Sequence, residues 1–210
     1  MKKKDYYFII GCLCFFSGFI NIVTLFYFGY AISHFSGTFT SIAKCLYVNI
    51  NSKELFRLLI MVISFVIGAI FSGIISSDSQ EKNLKKYGEI LIAFGISILI
   101  LKNFAKNNQI FLYFLTLTMG FQNAMNIRFK ESLIRSTHMT GNLTDLGNYL
   151  GKVLKGEKDK LQHVFLSFFE IEQYILGGVI ALMCLFYFKD CIIILYSILY
   201  ISCGIFMIKK

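Results

Sequence analysis

Two polar segments stand out in a chain that is otherwise mostly apolar. RSTHMTGNLTDLG occupies residues 135–147, and ISHFSGTFTSIAKCL occupies residues 32–46. Aligned with one another, they match His34 with His138 and Gly37 with Gly141, and hydroxyl side chains recur at neighbouring positions. Imidazole and hydroxyl groups donate and accept hydrogen bonds. Repeated in this way, they predict a binding site for a small polar or anionic solute.

A second pair of motifs precedes these segments. Gly18-Phe19-Ile20-Asn21 lies ahead of the first, and Gly120-Phe121-Gln122-Asn123 lies ahead of the second. The two pairs of motifs follow the same order at a spacing of roughly 100 residues. This order predicts a single membrane domain made of two repeats, residues 1–104 and residues 108–210.

The composition is that of a membrane protein. The 210 residues are 56% hydrophobic and 16% charged, with a mean hydropathy of +0.65, whereas soluble domains carry about 25% charged residues. The net charge of +9 comes from basic residues between apolar runs. We interpret these residues as topology signals in contact with the lipid bilayer, and we expect no nucleic-acid partner.

Six apolar runs predict six transmembrane helices, at residues 8–28, 55–75, 88–101, 110–127, 171–188 and 191–208. With the N-terminus inside, most of the 21 Lys and Arg residues fall on the inner side, which predicts cytoplasmic termini in a multi-pass protein of the plasma or inner membrane. Each repeat holds three spans, and an odd number of crossings inverts the second repeat. The predicted fold is therefore all-α, with two inverted three-helix repeats.

Each polar segment predicts a short helix that begins after its Ser/Thr-Gly motif, with Asn142 and Asp145 in a capping arrangement. A helix N-terminus offers free N–H donors that suit an anion. Two such ends would form a site between the repeats, and Asn21 and Asn123 would add amide groups. The alternative is an ordinary cap on a helix lying at the membrane surface. The predicted substrate-binding residues are Asn21, His34, Ser36, Gly37, Thr38, Asn123, His138, Thr140, Gly141 and Asn142.

Protons are the second kind of candidate ligand. Histidine titrates near neutral pH, although His34 and His138 also fit purely hydrogen-bonding roles. Glu170 and Glu172 are proton-coupling candidates if the fifth span begins near Val164. The favoured interpretation starts that span near Ile171 and leaves both acids at the inner interface.

These motifs resemble the YoaK-type family of six-span bacterial inner-membrane proteins. The resemblance rests on Gly18/Asn21 with Ser36-Gly37-Thr38, and on Gly120/Asn123 with Thr140-Gly141-Asn142. It covers essentially the whole chain and implies a six-span fold, but the family has no established activity. Thr38 replaces the Asn that often ends the first motif, which makes the first segment the less functional copy.

The predicted function is that of a secondary transporter or permease, with its site between the repeats. The alternative is a non-transporting membrane sensor or an assembly or organising protein. We expect no enzyme, no catalytic residue and no cofactor, because no nucleophile–base set is evident. The six cysteines lack metal-site spacing, so no metal is expected. A homo-oligomer remains an open alternative.

Overall fold

The computed structural model describes residues 3–48, 52–102, 108–129, 132–188 and 191–210. Almost all of these are helical, in α1 (Lys3–Phe28), α2 (Phe35–Val48), α3 (Ser52–Ile75), α4 (Gln80–Leu101), α5 (Gln109–Asn123), α6 (Met139–Leu154), α7 (Leu161–Tyr187) and α8 (Ile192–Ile208). Between α5 and α6, β1 (Arg128–Phe129) pairs antiparallel with β2 (Ser132–Leu133). A 3-10 helix, Lys158–Lys160, precedes α7. The predicted all-α class is confirmed apart from this ribbon.

Three segments of the described chain are helices long and apolar enough to cross a membrane. They are Lys4–Phe28, Ser52–Ile75 and Lys158–Tyr187, with mean hydropathies of 2.2, 2.8 and 1.6; α8 is apolar but shorter. Large apolar side chains point outward along α3 and α7, as lipid-facing side chains do; among them are Ile63, Ile70, Val179 and Leu182. These are the features of a membrane protein.

Several predicted helix bounds need correction. The fourth run was expected to stay helical to Ile127, but α5 ends at Asn123 and extended chain leads into β1. The helix of the fifth predicted span, α7, begins at Leu161 rather than near Ile171. The predicted boundary between the repeats lies mostly at residues 103–107, outside the described residues.

Glycines set the closest helix contacts. A Cβ atom on Gly18 of α1 would collide with the carbonyl oxygen of Tyr174 on α7, and one on Gly120 of α5 would collide with that of Phe65 on α3. Without side chains, these positions allow two backbones to pack at short range. The partner helices contribute glycines as well. A Cβ atom on Gly177 of α7 would collide with the carbonyl oxygen of Phe15 on α1, and one on Gly68 of α3 would collide with that of Leu117 on α5. The α1–α7 and α3–α5 contacts therefore correspond, helix for helix.

The direction of each helix pair follows from its contacts. Along α1 and α7, Gly11 faces Phe169 and Gly18 faces Gly178, so the residue numbers rise together and the helices run parallel. Along α3 and α5, Arg57 lies against Gln109, and the rings of Phe71 and Phe121 are 5.4 Å apart. These two helices are parallel as well.

The third major pair, α4 and α8, runs antiparallel. Gly88 faces Gly204, whereas Gly95, further along α4, faces Ser197, which lies earlier in α8. Each helix of this pair buries a tyrosine against the phenylalanine of a Gly-Phe motif. Tyr87 lies 5.8 Å from Phe121, and Tyr196 lies 5.9 Å from Phe19, both between ring centroids.

A buried amide links the two parts of the chain. Nε2 of Gln122 lies 2.9 Å from the carbonyl oxygen of Leu13, 2.8 Å from Oγ of Ser17 and 2.8 Å from Oγ of Ser136. Its Oε1 accepts a hydrogen bond from the Tyr200 hydroxyl at 2.9 Å. Buried amides are expensive unless they are hydrogen-bonded, so this network fixes α1, α5 and α8 in one arrangement.

Candidate substrate-binding site

Both short helices begin earlier than the sequence suggested. Since α2 starts at Phe35 and α6 at Met139, both Ser/Thr-Gly motifs lie inside the first helical turn. The predicted Asn142–Asp145 capping arrangement is therefore wrong. The backbone N–H of Thr38 donates to the carbonyl of His34, and that of Asn142 donates to the carbonyl of His138. Each histidine thus stands immediately before a helix.

Two equivalent asparagines fix the chain in front of these helices. Oδ1 of Asn21 accepts a hydrogen bond from the backbone N–H of Ser33 at 3.2 Å. Oδ1 of Asn123 accepts one from the backbone N–H of Thr137 at 3.3 Å. Each asparagine belongs to a Gly-Phe-x-Asn motif, so the two motif pairs found in the sequence meet in space.

The first turns of α2 and α6 line one cavity. It has a volume of about 700 Å³ and is lined by Ser33, His34, Phe35, Ser36, Gly37, Phe65, Asn123, Thr137, His138, Met139 and Thr140. Small-molecule sites typically measure ~300–1,000 Å³, so a small metabolite would fit. The unpaired backbone N–H groups of a helix start carry partial positive charge, and this cavity receives two such starts.

The cavity is polar on two sides and apolar between them. Hydroxyl, imidazole and amide groups come from the helix starts, whereas Phe35, Phe65 and Met139 supply apolar surface. No Lys, Arg, Asp or Glu side chain is among these lining residues. Recognition of a ligand would therefore depend on hydrogen bonds and helix ends rather than on a full counter-charge.

The two sides of the cavity differ in how many of their polar groups are already paired. In the first segment, Nδ2 of Asn21 lies within 3.0 Å of the Tyr174 hydroxyl and 2.7 Å from Oγ of Ser33. The Tyr174 hydroxyl also lies 2.8 Å from Nε2 of His34. This side is closed by its own hydrogen bonds.

The second segment leaves more groups open. Phe65 occupies the place next to Asn123 that Tyr174 holds next to Asn21, and it has no hydroxyl. Among the described residues, Nδ2 of Asn123 and the ring of His138 make no hydrogen bond, and the His138 side chain is exposed. A ligand in the cavity would find its free side-chain partners here.

Comparison with known proteins places the chain in a family. Residues 9–206 match DUF1275, described as a protein of unknown function. The chain belongs to the DUF1275 family. The match spans nearly the whole chain, so the family includes both polar segments and all eight α-helices in whole or in part. No curated protein and no solved structure matches the chain.

Six of the ten predicted binding residues line the cavity, and four do not. The lining residues are His34, Ser36, Gly37, Asn123, His138 and Thr140. The other four, Asn21, Thr38, Gly141 and Asn142, are absent from the lining. Asn21 positions the loop, Thr38 and Asn142 are buried, and a Cβ on Gly141 would collide with the His138 ring. Within the described chain, no three His, Cys, Asp or Glu side chains gather as metal ligands would.

Sequence reasoning missed the aromatic contributions. Phe65 and Tyr174 come from the long helices α3 and α7, and nothing in their local sequence distinguishes them from the other aromatic residues. Ser33 and Thr137 carried a signal, because they occupy matching positions ahead of the two histidines. The spacing of the repeats would have identified Ser33 and Thr137 as a pair of lining residues.

The two acidic candidates, both on α7, differ in burial. Glu170 is buried, with 5% of its surface exposed, whereas Glu172 is exposed. Both acids lie within α7, which begins at Leu161, and their depth in the membrane stays a prediction. Neither side chain lines the cavity.

Proposed function

We propose that this protein is a secondary transporter for a small anion, and that the cavity between α2 and α6 is its binding site. The observation that carries the proposal is that two helix starts, from the two polar segments, line one cavity. Anions bind at helix N-termini because free N–H groups and the helix dipole both favour negative charge. Two such starts at one cavity reinforce each other, as in several transporter folds.

The proposed topology is six spans in two inverted repeats, with α1, α3, α4, α5, α7 and α8 crossing the membrane. The helix contacts support it, because each of the pairs α1–α7 and α5–α3 joins one helix from each repeat, and the two pairs correspond. In this topology α4 and α8 are equivalent helices of the two repeats, and they run antiparallel. A two-fold axis that exchanges them therefore has to reverse the helix direction. Such an axis lies across the helices and hence in the membrane plane. The YoaK-type resemblance agrees with this proposal.

In this topology, α2 and α6 begin deep in the protein and run outward. The cavity includes Phe65, near the middle of α3, and adjoins Tyr174, near the middle of α7. Irregular backbone at such a depth is tolerated where it is buried or lines a polar cavity. The chain before each helix meets this condition through its bond to Asn21 or Asn123.

The first test is anion binding by the purified full-length protein. Its thermal stability would be recorded with sulfate, phosphate, acetate and citrate as separate sodium salts at equal ionic strength. A ligand that binds only the folded protein raises its stability in proportion to ln(1 + [L]/Kd). We expect at least one anion to raise the melting temperature in a saturable manner.

The matched variants are Thr140→Glu and Thr144→Glu. Thr140 lines the cavity, whereas Thr144 lies one turn along α6 and outside it. A carboxylate in the first turn also favours the helix dipole, so Thr140→Glu should fold. We expect Thr140→Glu to abolish the anion effect and Thr144→Glu to keep it. An effect that is equal in both variants, or absent from the wild type, would overturn the proposed site.

A flux assay distinguishes a transporter from a sensor. Proteoliposomes loaded with the anion that binds would be monitored for release of radiolabelled anion. We expect faster release with wild type and Thr144→Glu than with Thr140→Glu. Binding without release would support the alternative, a non-transporting sensor.

A further inference from the structure

Glu170 is the buried acidic residue that the proposed anion site leaves unexplained. It lies on α7 with 5% of its surface exposed, and its Oε1 atom is buried with no hydrogen-bond partner. An ionised carboxylate with an unpaired buried oxygen carries a large desolvation penalty. The neutral carboxylic acid avoids that penalty, and buried acids in membrane helices are commonly functional.

No cation is among the described groups that interact electrostatically with Glu170. The titratable groups that interact electrostatically with it are Tyr7 and Cys14 of α1 and Asp145 of α6. None of them is positively charged at any pH, and an ionised Asp145 opposes a second negative charge. A bound proton is thus the ligand that fits this position.

Two connections lead from Glu170 to the cavity. The first is α7 itself, because Tyr174 lies four residues further on, one helical turn away, and its hydroxyl contacts His34 and Asn21. The second is α6, whose start lines the cavity and whose Asp145 interacts with Glu170.

A second unpaired group lies on α6. Nδ2 of Asn142 is buried without a partner, three residues before Asp145 and so on the same side of the helix. The buried face of α6 therefore holds one unsatisfied donor, and the buried face of α7 holds one unsatisfied acceptor. Buried polar groups are rarely left without a partner, so both atoms are open to a ligand or a proton that the packed helices do not supply.

We propose that Glu170 is a proton-binding site coupled to the cavity through α6 and α7. This inference rests on the proposed transport function and names its coupling ion. While α6 packs against α7, Glu170 holds its proton. When α6 moves on release of an anion, water reaches the carboxyl group and the proton leaves. No bond other than O–H forms or breaks.

The experiment is infrared difference spectroscopy on the full-length protein in lipid vesicles, without added anion. The C=O stretch of a protonated carboxylic acid is separate from carboxylate bands and shifts in D₂O. We expect wild type to show this band at neutral pH, Glu172→Gln to keep it and Glu170→Gln to lose it. If Glu170→Gln fails to fold, Glu170→Asp should move the band instead. A band absent from wild type, or unchanged in both Glu170 variants, overturns the proton site.

Coupling is read from the same band. A carboxylate placed in the cavity by Thr140→Glu should change the frequency or intensity of the Glu170 band, whereas Thr144→Glu should leave it unchanged. Equal spectra for both variants would overturn the coupling. Because the proton measurement uses no anion, it can succeed even where anion binding fails, so the two proposals are tested separately.

Discussion

The hydroxyl oxygen of Tyr174 lies 2.8 Å from Nε2 of His34, and the two rings stack with their centroids 6.0 Å apart. This contact joins the middle of α7 to the start of α2. In the matching place on the other side of the cavity, Phe65 cannot make such a bond to His138. The polar side chains on one side of the cavity are thus hydrogen-bonded to one another, and those on the other side are free to bind a ligand.

Tyr174→Phe tests the structural role of this contact. Removing the hydroxyl takes one partner from His34 and one from Asn21, so we expect stability to fall by about 1 kcal/mol. Thermal denaturation in detergent is the measurement. Tyr187→Phe on the same helix is the control, because Tyr187 is 71% exposed and should tolerate the change. Equal losses in both variants would contradict a specific role for Tyr174.

The glycines of the helix pairs predict a sharper effect on folding. In Gly68→Ala, the new methyl group would collide with the carbonyl oxygen of Leu117, and backbone cannot move aside as a side chain can. We expect a loss of about 1–3 kcal/mol. Gly73→Ala lies on the same helix with no atom within 4 Å of the new Cβ. Its stability should match or exceed that of wild type, and a loss equal to that of Gly68→Ala would refute the close α3–α5 packing.

Gly141→Ala addresses the binding site rather than the fold. The added methyl group would collide with the ring of His138, a side chain free to turn away. We expect α6 to persist and anion binding to weaken about tenfold, equivalent to about 1.4 kcal/mol. The measurement is the dependence of melting temperature on anion concentration.

Gly147→Ala is the matched control for that variant. It makes the same replacement on the same helix, and its Cβ would have nothing within 4 Å. Both changes raise helix propensity by about 1 kcal/mol, so propensity cancels in the comparison. Unchanged binding in both variants would remove His138 from the site.

Much of this arrangement could be predicted from local patterns. The repeated Gly-Phe-x-Asn and His-containing segments identified six of the eleven residues that line the cavity, since a motif that occurs twice implies equivalent positions. The helix starts were predicted one turn too late, because Asn142 resembles a cap. The structure instead uses His138 as the residue before the helix, without a side-chain capping bond. Capping patterns cannot reveal such a start.

The remaining errors concern contacts between distant parts of the chain. Tyr174 and Phe65 reach the cavity only because α7 packs on α1 and α3 packs on α5. The residues next to them in the sequence do not indicate this packing. Glu170 and Glu172 are two residues apart, and their different burial depends on which face of α7 meets α1 and α6. Neither packing can be read from a single sequence.

The central claim is that two oppositely oriented repeats bring their polar helix starts to one cavity. Because His34 and His138 share that cavity, labels at these positions cannot report orientation, but the far ends of α2 and α6 can. Tyr47 is 91% exposed and Leu154 is 87% exposed. Each would be replaced by the sole cysteine in a variant lacking the six native ones.

These single-cysteine variants would be labelled in sealed vesicles with a membrane-impermeant maleimide. The account predicts that position 47 reacts from the outer face and position 154 only after the inner face is exposed. Reaction of both positions from the same face would contradict the inverted arrangement and remove the basis for a transport site between the repeats.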